Sequence, residues 1–212
     1  MRKYRIAMNL PLERLLTIRH RTLPLLKRLE TLFGEMNRAY TAVAGQYGFA
    51  CNGCADNCCL TRFYHHTLLE YLYLVEGLRT LESDARHAIY EKALTVSAAM
   101  EDADRQGEAL RIMCPLNRNE RCTLYPYRPM ICRLHGIPHE LQRSGGNPIK
   151  NPGCYAFFNQ CRQRGQTDYI RFDRTPFYRQ MACLEQELRR KTGFSDKLKL
   201  TIAHMLMSIT DN

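Results

Sequence analysis

Four thiols fall within nine residues at Cys51, Cys54, Cys58 and Cys59, separated by Asn52, Gly53, Ala55, Asp56 and Asn57. Sulfur donors this dense in a tight polar loop suit a soft metal ion or a metal cluster. A second group follows as Cys114-Pro115-Leu116, then Cys122 and Cys132, with Cys154 after Pro152 and Gly153. Prolines beside or near Cys114, Cys132 and Cys154 restrict the backbone, which lowers the ordering cost of presenting sulfurs in fixed directions. The vicinal pair Cys58 and Cys59 would be strained on one small tetrahedral ion. The pair therefore serves two metals, or one member ligates while the other supports. One partition groups Cys51, Cys54 and Cys58 with a distant cysteine, and Cys59 with the others. Convergence of all eight is the firmer expectation.

Other reactive side chains were weighed against this centre. His135 stands three residues after Cys132, a spacing that can ligate metal, and His139 follows, but eight cysteines already suffice for two tetrahedral sites. Arg128 and Arg133 flank Cys132, where a guanidinium can donate to thiolate or sulfide and offset its charge. Tyr125 can donate to the same centre or simply pack. Cys161 and Cys183 read as packed or free thiols, and His65-His66 as a metal-free helix start. Cys51-Asn52-Gly53-Cys54 has redox-motif spacing, but no evident strand precedes it and a redox pair leaves Cys58 and Cys59 unexplained.

The order of a compact four-cysteine cluster, Cys-Pro-Leu, then Cys-x-Leu-Tyr-x-x-Arg-Pro-x-x-Cys-Arg and a late cysteine resembles the zinc- or iron-chelating cysteine-cluster proteins of CxxCxxCC type. The resemblance covers about Cys51 to Cys154, and the block of Tyr125, Arg128, Pro129, Cys132 and Arg133 is its specific part. It implies metal binding. More distantly the pattern is similar to flagellin lysine N-methylases, which implies protein modification and an iron–sulfur centre. One departure stands out: Ala55-Asp56-Asn57 puts three residues between Cys54 and Cys58 where the family signature has two. The Cys-x3-Cys-x2-Cys order of radical enzymes using S-adenosylmethionine is missing, as is a Gly-rich nucleotide loop after a strand.

Helices must position these sulfurs. Leu25, Leu29, Leu32, Met36, Tyr40 and Val43 recur at helical spacing, predicting a helix over about 22–47 with Thr22 as cap, Pro24 in its first turn and Gly45 and Gly48 as terminators. That helix would deliver the chain into the first cysteine cluster. Helices over 68–81 and 84–105, the latter capped by Ser83, read as an antiparallel pair, with Tyr71 and Tyr73 packing rather than stacking on a ligand. From Cys114 to Cys161 the periodicity lapses, with short extended pieces expected around Thr123–Tyr125 and Ile131–Leu134. Such a long irregular segment calls for metal to hold it. Helices return over about 175–210, along Phe177, Met181, Leu184 and Leu188 and then Leu198, Ile202, Met205 and Ile209, with Ser195 as cap, and should pack on the N-terminal helix. The expected fold is a mainly α single domain over 1–212. Helices frame an irregular Cys-rich centre spanning 51–154.

Composition narrows the function classes. With 45% hydrophobic and 25% charged residues over 212 positions, the chain can bury its own core without disulfides. The longest apolar candidate for a membrane span, Leu68 to Leu78, is broken by Glu70 and Glu76. The basic N-terminus lacks a signal-peptide apolar run, so a cytoplasmic location is expected, where clustered cysteines bind metal or do redox chemistry. The net charge of +10 raises the alternative of a zinc-stabilised nucleic-acid-binding or interaction module. However, eight thiolates on two divalent ions would leave +6, and the Lys and Arg residues are scattered. The leading expectation is a protein holding an iron–sulfur cluster or zinc or iron ions. That expectation extends to a redox or modifying enzyme acting on a protein or small molecule, with no substrate or catalytic residue named by the sequence.

Overall fold

The computed structural model describes residues 12–51, 58–142, 145–166 and 168–209, with side chains from residue 19 onward. The fold is mainly α. At its centre is α2 (Leu68–Arg79), whose Leu68, Leu69, Tyr71, Leu72, Tyr73, Leu74 and Val75 are all buried, so it meets protein on every side. Two devices start this helix. Thr67 caps it by accepting from the Glu70 amide, and Glu185 of α6 (Thr175–Thr192) accepts from the Leu68 and Leu69 amides at 2.9 Å each. These amides would otherwise be unpaired donors in the core.

Against α2 and α6 lies α1 (Leu12–Gln46), which buries Leu25, Leu29, Leu32 and Met36. The helix starts well before the expected cap. Pro24 lies inside it, and Thr22, rather than capping, donates to the Arg19 carbonyl at 2.8 Å. A hydroxyl that bonds back along the helix occupies a carbonyl close to the amide that Pro24 cannot supply. The expected terminator holds: Gly48 takes φ 63°, and Phe49 N–H returns to the Ala44 carbonyl at 2.8 Å.

The helix α3 (Ser83–Gln106) packs chiefly on α7 (Ile202–Met207), not as a close partner of α2, and Val96, Met100 and Ala203 form a small core of their own. Ser83 is the first helical residue, and Glu82 holds the cap position without a side-chain bond. At α7 the cap is Thr201 rather than Ser195. The preceding chain stays extended because Leu200 and His65 exchange backbone hydrogen bonds of 2.8 and 3.0 Å. Tyr71 and Tyr73 are core residues, as expected.

The middle of the chain is built from short pieces: β1 (Asn117–Arg118) with β2 (Arg121–Cys122), a 3-10 turn at Tyr125–Tyr127, α4 (Met130–Leu134), β3 (His139–Leu141) with β4 (Ile149–Asn151), and α5 (Tyr155–Gln163). The extended pieces expected around Thr123–Tyr125 and Ile131–Leu134 are instead the 3-10 turn and α4. Among the described residues no helix is long and apolar enough to cross a membrane.

Candidate metal centre

The geometry begins with backbone bonds that fold four cysteines toward one another. Cys59 lies in the middle of the 3-10 turn Cys58–Leu60, and its carbonyl accepts from the Cys114 N–H at 2.9 Å. The Cys114 carbonyl accepts from Asn117 at 2.9 Å, and Thr123 N–H returns to Leu116 at 2.7 Å, closing the β1–β2 hairpin. Asn119 and Glu120 both take positive φ, 52° and 64°, the signature of a two-residue type I′ turn. That turn sets Cys122 opposite Asn117. The fourth member, Cys132, rides on α4, whose first amide, Met130 N–H, donates to the buried Glu70 carboxylate at 2.8 Å.

Electrostatics shows that these four sulfurs share one environment. Burial first, then the charges of Cys114, Cys122 and Cys59, lifts Cys132 well above the ordinary thiol range. Burial likewise pushes Cys114 up to about 12 and Cys122 up to about 11, with Cys59 adding to both. Cys59 moves the other way. It accepts a hydrogen bond from the Cys58 thiol, which is raised in turn by giving it, and the Asn117 side chain also favours the Cys59 thiolate. The Asn117 amide nitrogen is buried without a hydrogen-bond partner, and the Asn117 side chain bears on the Cys59 thiolate. On its outer side Cys122 lines an open depression with Arg118, Asn119, Arg121 and Thr123.

A second group lies across the vicinal pair. Cys51, Cys154 and Cys58 all bear on the phenol of Tyr40, which burial and these three sulfurs raise. Cys154 caps α5, its sulfur accepting from Phe157 N–H at 3.4 Å, while its own N–H bonds the Gly136 carbonyl at 2.8 Å. Ala50 is tied to α5 by a reciprocal pair with the Gln160 amide, at 3.2 and 3.0 Å, which holds the exposed Cys51 beside that helix. Cys54 lies outside the described residues. No disulfide joins the described cysteines. Among the described residues no three His, Cys, Asp or Glu side chains close to metal distance.

The remaining predicted residues fall near the centre but not on it. Arg133 is buried over the Phe33 ring at 4.0 Å, and its donors reach the carbonyls of Arg128 and Pro126 and the Asn37 amide oxygen. Arg128 stacks on the exposed Tyr125 ring at 3.7 Å and donates to the Tyr125 carbonyl at 2.8 Å. Both guanidiniums reach the sulfurs through their charge, lowering Cys122. His135 packs edge-on to Phe63 at 5.4 Å. Cys161 is buried in the core and Cys183 is exposed on α6.

Residues 50–149 match the model of the CxxCxxCC family, described as a putative zinc- or iron-chelating domain. No curated protein and no solved structure matches the chain. The CxxCxxCC segment contains Cys59, Cys114, Cys122 and Cys132 entirely, together with Glu70 and Asn117, which position them. It ends before Cys154 and begins after Tyr40. Glu70 and Asn117 escaped the sequence reading because a lone Glu in an apolar run and a lone Asn in a turn carry no local signal of what they face.

Proposed function

We propose that the chain binds zinc or iron through Cys59, Cys114, Cys122 and Cys132. The observation that carries this reading is a set of four cysteines brought together from separate parts of the chain, with the Cys114 N–H bonded to the Cys59 carbonyl at 2.9 Å, Cys122 set by the hairpin opposite Asn117, and each sulfur bearing on others of the set. Thiolate-only donor sets suit zinc and iron, including an iron–sulfur cluster, and disfavour hard cations such as magnesium or calcium. A metal there would bind the loop after α1, the hairpin and α4 to one another. Held by four thiolates, zinc would be structural, while iron, alone or in a cluster, would supply electron transfer.

The chain's own residues do the positioning. Glu70 orients α4, Asn117 stabilises the Cys59 thiolate, and the Arg128 and Arg133 charges ease deprotonation of Cys122. Anaerobic purification followed by metal and acid-labile sulfide analysis tests the reading. Zinc or iron at one or more equivalents per chain is expected, with sulfide and brown colour if the metal is an iron–sulfur cluster. Protein that emerges folded and metal-free, and takes up neither metal under reducing conditions, overturns it.

A further inference from the structure

The β1–β2 hairpin has two faces, and only one of them belongs to the sulfurs. Alternation along its strands puts the opposed pair Asn117 and Cys122 on the inner face and the opposed pair Arg118 and Arg121 on the outer face, where both arginines are exposed. The two-residue turn through Asn119 and Glu120 fixes that opposition. Two like charges directly opposite one another on neighbouring strands destabilise the pairing. Among the described residues no carboxylate relieves them: neither arginine makes an ion pair or a side-chain hydrogen bond, and Glu120, between them in the turn, pairs with neither.

The outer face is also concave. Arg118, Asn119, Arg121, Cys122 and Thr123 line an open depression of about 450 Å³, room for a small molecule. Thr123 stands two residues after Arg121 on the same exposed face, and its hydroxyl, like the Asn119 amide, can donate into that space. Guanidinium forks bind phosphate oxygens in pairs, and a phosphate monoester carries roughly −1.5 to −2 charge near neutral pH. A carboxylate, or the diester of a nucleic-acid backbone, carries only one negative charge. Two unpaired guanidiniums therefore match the monoester best.

We propose that this depression binds a small molecule bearing a phosphate monoester, held between Arg118 and Arg121 with Asn119 and Thr123 as further donors. The ligand supplies the negative charge that the hairpin lacks. The site does not rest on the metal-binding reading above, since none of its four donors is a cysteine.

Calorimetric titration of the folded chain with glycerol phosphate, at low ionic strength and about pH 7.5 where the monoester is almost fully charged, tests this. One molecule should bind per chain, about tenfold or more tightly than acetate. Arg118→Gln and Arg121→Gln should each weaken binding about tenfold or more, while Arg190→Gln, which removes the same charge from an exposed position on α6, should change it less than about twofold. Melting separates binding from support. Removing either arginine ends a like-charge clash, so the unliganded Gln variants should melt no lower than the unaltered chain. Arg118→Glu sets opposite charges across the strands and should melt higher while losing the phosphate. Binding lost together with a fall in melting temperature in all three hairpin variants assigns the arginines to holding the hairpin and overturns the proposal. Equal weakening by Arg190→Gln marks a diffuse basic surface and overturns it too, as does acetate binding as tightly as glycerol phosphate. A short single-stranded DNA that binds more tightly than glycerol phosphate, and loses that binding in Arg121→Gln, gives the arginines to a nucleic-acid backbone instead. No saturable binding of glycerol phosphate removes the site and leaves the metal reading standing.

Discussion

The two sulfur groups share their chemistry but are built differently. The inner one, Cys59, Cys114, Cys122 and Cys132, is framed by a two-residue turn, a short helix and backbone bonds within the CxxCxxCC segment, and burial holds Cys114, Cys122 and Cys132 in their protonated form. The outer one, Cys51, Cys58 and Cys154, is assembled from the end of α1 and the start of α5, with Cys51 in solvent. Vicinal Cys58 and Cys59 join the two, since Cys58 bears on Cys59 and Cys132 as well as on Cys51. Burial makes the inner thiols poor thiolates until a metal takes their protons, so metal there acts as folding energy.

The largest effect that would break this contrast is expected at Cys132. Cys132→Ser should remove one metal and cost at least about 4 kcal/mol of stability, because a structural ion's binding energy is folding energy on the order of 10 kcal/mol. Cys154→Ser should lower metal content with a smaller loss, and Cys183→Ser, on the exposed face of α6, should change neither. Equal losses for Cys132 and Cys154 in chemical denaturation would show that the groups are a single unit.

Acidity separates the groups next. With Cys114 pushed up to about 12 and Cys122 up to about 11, a metal entering the inner group near neutral pH displaces their protons. The sign follows: raising pH favours binding and acid favours release, by ~1000-fold per pH unit when Cys132, whose thiol is also raised, gives up its proton with these two. Chelator competition at two pH values checks this slope, and a flat response would mean the inner sulfurs are already thiolates. A third measurement targets the support alone. Glu70→Gln weakens the bond that starts α4 inside the core, at a cost of about 2 kcal/mol. It should loosen the inner metal to the same chelator, since Glu70 bears on Cys132 and on Met130 N–H.

How much of this was legible in the sequence follows the range of the forces involved. The helical stripes of α1, α2, α3 and α6 repeat within a few residues and were readable as such. Helix ends were less so, because Pro24 is carried inside α1 and Thr201, not Ser195, meets the amides of α7. The pieces around Thr123–Tyr125 and Ile131–Leu134 are too short to carry a helical period in the sequence. They turn helical because bonds from Glu70 and from Arg133 to the Arg128 and Pro126 carbonyls reward that form. Glu70 and Asn117 look like ordinary solvated or packing residues in one dimension. Their roles arise from contacts with residues distant in the chain, which no local pattern encodes.

The smallest effect is expected at Arg128, and it tests whether the motif arginines serve the inner sulfurs by contact or by charge. Arg128 spends its donors on the Tyr125 carbonyl and its plane on the Tyr125 ring, a surface stack worth about 0.5–1 kcal/mol. Its charge nevertheless lowers Cys122, the inner thiol that lines the open depression. Arg128→Ala should therefore cost less than about 1 kcal/mol in denaturation. Inner metal binding near neutral pH should weaken a few-fold, and added salt, which screens a half-exposed charge, should narrow that difference. Arg128→Lys keeps the charge and loses the planar stack, so it should recover metal binding more fully than stability. If lysine restores stability and not metal binding, the guanidinium acts on the sulfurs through geometry, and the inner group has a donor that the distribution of bonds around Arg128 does not account for.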